Sequence, residues 1–158
     1  MLSEVAVAIR RATPADAQFI HGLSQVAFGE YDPNAARTTA GMMREAATAT
    51  LVAERAGKPL GFIILRRESR ECLAVDAIAV TPSERGKRVG QRLMKAAESH
   101  AAAQAIERIT LSTAQANLAA LDLFLRAGFV IIDRTAVRYW RGQPACKLEK
   151  RVALDLLR

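Results

Sequence analysis

Two cysteines, Cys72 and Cys146, are all that the 158 residues contain. That is too few for a disulfide framework, and no Cys/His cluster has the spacing of a metal site. A reducing cytoplasm is the simplest home for such a chain. No uncharged apolar run reaches the length of about 18 residues that a membrane helix needs. The segment from Met1 to Arg10 carries Glu4 and lacks the basic-then-apolar order of a signal peptide. Aromatic residues make up 5% of the sequence, too sparse for a base-stacking platform. Repeats and low-complexity linkers are missing too. The expectation is one domain over residues 1–158, with no metal and no membrane anchor.

What is present is apolar and basic. Hydrophobic residues make up 51% of the chain, enough for a sizeable core, and the formal net charge is +7. Such a field favours anionic partners: nucleic acid, anionic lipid or a phosphorylated cofactor. The basic residues are dispersed, as on an ordinary solvated surface, and Arg85, Lys87, Arg88 and Arg92 form their densest cluster.

Along the chain, β-like and helical segments alternate. Val5 to Arg11 reads as a strand. Thr13-Pro14 opens a helix that runs to about Phe28, with Thr13 as N-cap and Pro14 as first residue. After the loop Gly29 to Pro33, Asn34 to Ala47 reads as a second helix. Thr50 to Arg55 and Leu60 to Arg67 form a hairpin around Ala56-Gly57-Lys58-Pro59, and Glu71 to Val80 adds a strand. From Arg88 to Ala103, Val89, Leu93, Ala97 and Ala101 recur every four residues as one apolar helical stripe. Ile109 to Ser112 is a short strand. Asn117 to Ala127 is a helix, with Gly128 as its left-handed stop. Phe129 to Asp133, Ala136 to Trp140 and Cys146 to Leu154 are β-like. The order is β-α-α-β-β-β-α-β-α-β-β, the last two strands being approximate. It predicts an α/β (mixed α+β) domain, whose central sheet has antiparallel and parallel parts covered by helices.

The segment richest in chemistry is Ile78 to Leu93: strand, basic glycine-containing loop, helix. A helix start offers unpaired N–H groups and the positive end of the macrodipole, which suits a phosphate. Gly86 and Gly90 would let backbone approach a ligand, and Arg85, Lys87 and Arg88 add charge. The loop has neither the Gly-Lys-Ser/Thr ending of a Walker loop nor a GxGxxG fingerprint.

Arg85-Gly86-Lys87-Arg88-Val89-Gly90 resembles the acetyl-CoA motif of the GNAT family of N-acetyltransferases, Arg/Gln-x-x-Gly-x-Gly/Ala. It departs from that motif at Arg88, where the family usually has glycine. At the expected distance, Asn117-x-x-Ala120-x-x-x-Phe124-x-x-x-Gly128-Phe129 resembles the family's Asn-x-x-Ala-x-x-x-Tyr-x-x-x-Gly-Phe. The element order is similar as well, so the resemblance spans nearly the whole chain.

This resemblance implies a mostly antiparallel sheet with helices on both faces. Acetyl-CoA would lie between the strand ending at Val80 and the strand Ile109 to Ser112. Its pantetheine would pair with the backbone of Ile78 and Val80, and its pyrophosphate would sit on the amides of Arg85, Gly86, Lys87, Arg88, Val89, Gly90 and Gln91. Asn117 would reach the pantetheine arm, and Phe124 would pack near the thioester sulfur. The Val80 amide would face the oxyanion.

The acceptor implied is a primary amine, small or peptidyl, attacking directly in a ternary complex. A lysine-like amine, with a pKa of about 10.4, must lose a proton first. Asp76 is the candidate base: by alternation it shares a face with Ile78 and Val80, and a carboxylate in an apolar strand needs a use or a partner. Phe124 cannot donate a proton where the family has tyrosine, and Tyr139 is the nearest substitute. Glu30 and Tyr31 lie in the loop that lines acceptor sites in the family. His21 and His100 fall inside predicted helices and read as structural or solvated. A homodimer is compatible with the resemblance. Two alternatives stand beside this reading: a catalytically impaired acyl-CoA-binding module, and a basic nucleic-acid-binding protein, which the absence of a recognition-helix pattern disfavours.

Overall fold

The structure, a computed structural model, describes residues 5–134 and 142–153. Its elements are β1 (Ala8–Arg11), a 3-10 turn (Pro14–Asp16), α1 (Ala17–Phe28), α2 (Ala35–Arg44), β2 (Thr48–Arg55), β3 (Lys58–Arg67), β4 (Cys72–Val80), a second 3-10 turn (Pro82–Glu84), α3 (Val89–Ala103), β5 (Arg108–Ala114), α4 (Leu118–Arg126), β6 (Val130–Asp133) and β7 (Ala145–Arg151). The strands form one sheet in the order β1-β2-β3-β4-β5-β7-β6. Among the described strands only β4 and β5 run parallel, across the α3 crossover; every other neighbouring pair is antiparallel. The mixed, mostly antiparallel sheet matches the expected class and element order. The expected strand Ala136 to Trp140 lies outside the described residues.

Several ends differ from expectation. The first helix begins at Ala17, because Pro14–Asp16 forms a tighter turn. The buried Asp16 carboxylate accepts the Thr13 amide at 2.7 Å and both terminal nitrogens of Arg10 at 2.8 Å. These donors hold its pKa down at about 2, the Arg10 bonds most. The second helix stops at Arg44 rather than Ala47. Glu45 turns extended and Ala47 takes a φ of 59°, which starts β2 at Thr48 in register with Arg66. Sheet pairing thus overrides the helical preference of Ala46 and Ala47.

Two apolar layers cover the sheet. On one face, Ile20 and Leu23 of α1, with Met42 and Met43 of α2, pack on Val52, Phe62, Ile64, Ala77 and Ala79. On the other, the predicted α3 stripe Val89, Leu93, Ala97 and Ala101 is fully buried against Ile63, Leu65, Leu73, Ile109 and Leu148, joined by Phe124 of α4. Burying each large side chain contributes about 1.5–3 kcal/mol before ordering costs. Helices therefore lie on both faces, and the α3 start is fixed at the C-terminal end of β4.

Candidate active site

The parallel pair β4–β5 is short. Cys72 to Val75 pair with Arg108 to Leu111, and the pairing ends there. Residues 76–80 of β4 and 112–114 of β5 continue beyond it, so each strand presents backbone donors and acceptors to the gap between them. The Ile78 and Val80 backbones expected to hold a pantetheine lie on this segment. Between Ile64 and Leu65 the register with β3 slips by one, leaving Asp76 as the extra residue of a bulge.

That bulge corrects the sequence reading of Asp76. Strict alternation puts it with Ile78 and Val80, which pack toward α3. In the structure its carboxylate lies on the α2 side, where it accepts Arg66 Nε at 2.8 Å and Arg66 Nη2 at 3.2 Å. The extra residue interrupts the two-residue period, so Val75 and Ile78 face one way and Asp76 the other. Asp76, with Arg66 and Met42, forms the common wall of two adjoining cavities. One, of about 490 Å³, is lined by Thr38, Gly41, Met42, Glu45, Arg66 and Asp76. The other, of about 340 Å³, reaches the strand gap through Thr110, Leu111, Ser112 and Lys147. Arg66, Met42, Glu45, Glu68 and Lys147 escaped the sequence reading. For Arg66 a signal existed: a carboxylate in an apolar strand demands a cation, and the neighbouring hairpin strand carries one.

At the far end of β4, the loop from Thr81 to Arg88 leads into α3. The N-cap residue Arg88 makes no side-chain cap bond, so among the described residues the first-turn N–H groups of Val89, Gly90 and Gln91 have no helical or side-chain acceptor. Thr81 Oγ1, at the head of the loop, is buried without a partner among the described residues. Open backbone donors at the positive end of a 15-residue helix, beside exposed Arg85, Lys87 and Arg88, fit a pyrophosphate. The two glycines do different work here. Gly86 takes a φ of 76° in open space, whereas a Cβ on Gly90 would meet Leu123 Cδ2 at 3.2 Å. Gly90 therefore lets α4 approach α3.

A family model described as the acetyltransferase (GNAT) family matches residues 17–129. The chain belongs to the GNAT acetyltransferase family. Among solved structures, Ard1 from Thermoplasma volcanium is 25% identical, with a TM-score of 0.81 over 94% of this chain and 99% of that one. The ribosomal-protein-S18-alanine N-acetyltransferase from Escherichia coli is 18% identical, with a TM-score of 0.77 over 94% and 95%. The spermidine N-acetyltransferase from Vibrio cholerae, solved with CoA and spermine, is 19% identical, with a TM-score of 0.74 over 95% and 98%. No curated protein matches the sequence significantly. Acetyl-CoA is the cosubstrate of this GNAT chain.

The remaining GNAT positions are placed as follows. Asn117 caps α4, its Oδ1 accepting the Ala120 amide at 3.1 Å, so at least that oxygen serves the helix start. Phe124 is 4% exposed and packs on Phe129 with ring centroids 6.2 Å apart. Tyr31 lies between α1 and α2, its pKa pushed up by burial and by the Glu30 carboxylate. Tyr139 lies outside the described residues. His100 packs near the end of α3, its pKa lowered by burial and by Arg11, with Nε2 2.9 Å from Gln104 Nε2. Among the described residues no group of His, Cys, Asp and Glu could hold a metal, and no helix is long and apolar enough to cross a membrane.

Proposed function

We propose that residues 1–158 form one transferase domain that moves an acetyl group from acetyl-CoA to a primary amine, small or peptidyl, by direct attack in a ternary complex. The observation that carries this reading is the separation of β4 from β5 after Val75 and Leu111. It joins the basic helix start at one end to the Arg66–Asp76 cavities on the α2 side. A strand gap with a phosphate-binding end and a polar side cavity can bring a thioester and an amine together.

Bound acetyl-CoA supplies an activated acetyl thioester. The amides from Arg85 to Gln91 hold its pyrophosphate, and the backbones of Ile78 and Val80 align its arm. The Val80 N–H stabilises the oxyanion, Asn117 and Phe124 flank the arm, and Asp76, positioned by Arg66, takes the amine's proton. Tyr139 is the proton donor proposed for the leaving thiolate. Glu30 and Tyr31 contact the acceptor where the α1–α2 loop meets it. The two free, buried cysteines suit a reducing cytoplasm as the site of action.

One observation favours a second reading. Phe124 offers no proton at the position where the family has tyrosine, which fits a CoA-binding module of weakened chemistry. Incubation with acetyl-CoA and a panel of amines (a free-N-terminus peptide, a polyamine, an aminoglycoside) separates the two. Amine-dependent CoA release, with acetylated product by mass spectrometry, is expected for the transferase. Cofactor-induced thermal stabilisation without any acetylated amine would establish the binding module instead.

A further inference from the structure

The three cations of the phosphate-binding loop are not equivalent. Arg85 Nε donates to the Val80 carbonyl at 3.3 Å, at the end of β4. Lys87 Nζ lies 3.7 Å from the Glu84 carboxylate, which also accepts Arg55 Nη1 from β2 at 2.8 Å. Both side chains are tied to the loop's own framework. Arg88 is exposed, and its guanidinium has no hydrogen-bond or ion-pair partner among the described residues.

Arg88 is also the one strained member. As N-cap of α3 it adopts φ 69° and ψ 13°, the left-handed region in which a Cβ crowds the backbone. Glycine takes this conformation freely, and the motif's usual glycine falls at this position. A long cationic side chain held there against its backbone preference, unpaired and beside three open helix N–H groups, has no role in holding the free loop together. Strain of this kind persists where the surrounding structure imposes it, as pairing does at Ala47, or where the residue is used, and no such pairing holds the exposed Arg88.

We propose that the Arg88 guanidinium binds a phosphate group of the cofactor directly, adding a charge-assisted contact to the backbone amides, while Arg85 and Lys87 act mainly to shape the loop. The proposal rests on the reading of this loop as the acetyl-CoA pyrophosphate site. Guanidinium matches phosphate through paired N–H donors, and such bonds are stronger than neutral ones. The side chain thereby offsets the less favourable loop backbone.

The test is calorimetric titration of acetyl-CoA, and of CoA lacking the 3′-phosphate, into the wild-type chain, Arg88→Gly and Arg88→Lys, together with the melting temperature of each free protein. Arg88→Gly is expected to melt no lower than wild type, since it relieves the left-handed strain, yet to bind acetyl-CoA about tenfold or more weakly, equivalent to about 1.4 kcal/mol. Arg88→Lys, which keeps the charge but not the fork, should fall between them. If removal of the 3′-phosphate cancels the difference between wild type and Arg88→Gly, the partner is that phosphate; if the difference persists, it is the pyrophosphate. Arg88→Gly binding acetyl-CoA as tightly as wild type would overturn the proposal and leave Arg88 a mere replacement for glycine. A wild-type chain that does not bind acetyl-CoA would remove the loop assignment itself, an outcome distinct from unequal binding by the variants.

Discussion

The loop proposed to hold phosphate lies at the C-terminal end of β4 and the Arg66–Asp76 cavities lie against its middle, and they are built in opposite ways. The loop comes from one run of chain, Thr81 to Gln91, and its donors belong to the backbone. The cavities draw on α2, β3, β4, β5 and β7 and are lined by side chains. Local geometry makes the first, so a substitution there acts through φ, a cap or a single close contact. Sheet register makes the second, so a one-residue bulge decides which face Asp76 serves.

The largest effect should come from Gly90→Glu. It drives a side chain into Leu123, where even a Cβ is tight, and brings a carboxylate to the proposed pyrophosphate. Both a lower melting temperature and loss of the acetyl-CoA-induced shift are expected; a normal shift would detach the cofactor from the loop. Gly90→Ala separates the two causes, because it keeps the crowding and omits the charge.

Asp76→Asn breaks the comparison at the cavities. As the base, Asp76 is worth about a hundredfold or more in kcat, with cofactor affinity spared. The competing outcome is a lower melting temperature with kcat intact at every pH, which would make the bidentate Arg66 pair purely structural.

Acid sharpens the comparison on the α1 side. The Asp16 carboxyl is lowered from 3.8 to about 2, so the folded state holds its proton less tightly than the unfolded one. Its contribution of about 2 kcal/mol is present above pH 4 and fades as pH falls from about 4 to about 2. Asp16→Asn should lose that stability at neutral pH and show a flatter acid limb in denaturant melts at each pH. Parallel limbs for both proteins would assign the acid sensitivity to other carboxylates.

The smallest effect is expected of Phe124→Tyr. The ring is buried against Phe129, so the new hydroxyl needs a partner in a tight place. A gain in kcat of up to about tenfold would show that the thiolate benefits from an acid; no gain, with stability kept, would show that it leaves unaided.

Much of the fold was legible because its signals are periodic or local. The four-residue stripe of α3 became a buried seam, and the turn at Gly57 and the stop at Gly128 both take left-handed φ values. Element ends were less legible, since pairing of Thr48 with Arg66 shortened α2 against the preference of its alanines. Of the site, the loop could be read in order along the chain. Arg66 was reachable only through Asp76, whose carboxylate demands a cation, and Glu45 and Lys147 were not reachable at all, because nothing local marks a residue that becomes important through partners distant in sequence.

By itself, then, the sequence determined an alternating α/β chain, a basic helix start suited to phosphate and a spaced pair of motifs, all of them properties of short, contiguous stretches. Only the tertiary structure decided that Gly90 serves helix packing, that Asp76 faces α2 and Arg66, and that Arg88 is strained and free. Each of these depends on which atoms the fold brings together from distant parts of the chain, and hydrophobic period and residue type alone do not encode that register.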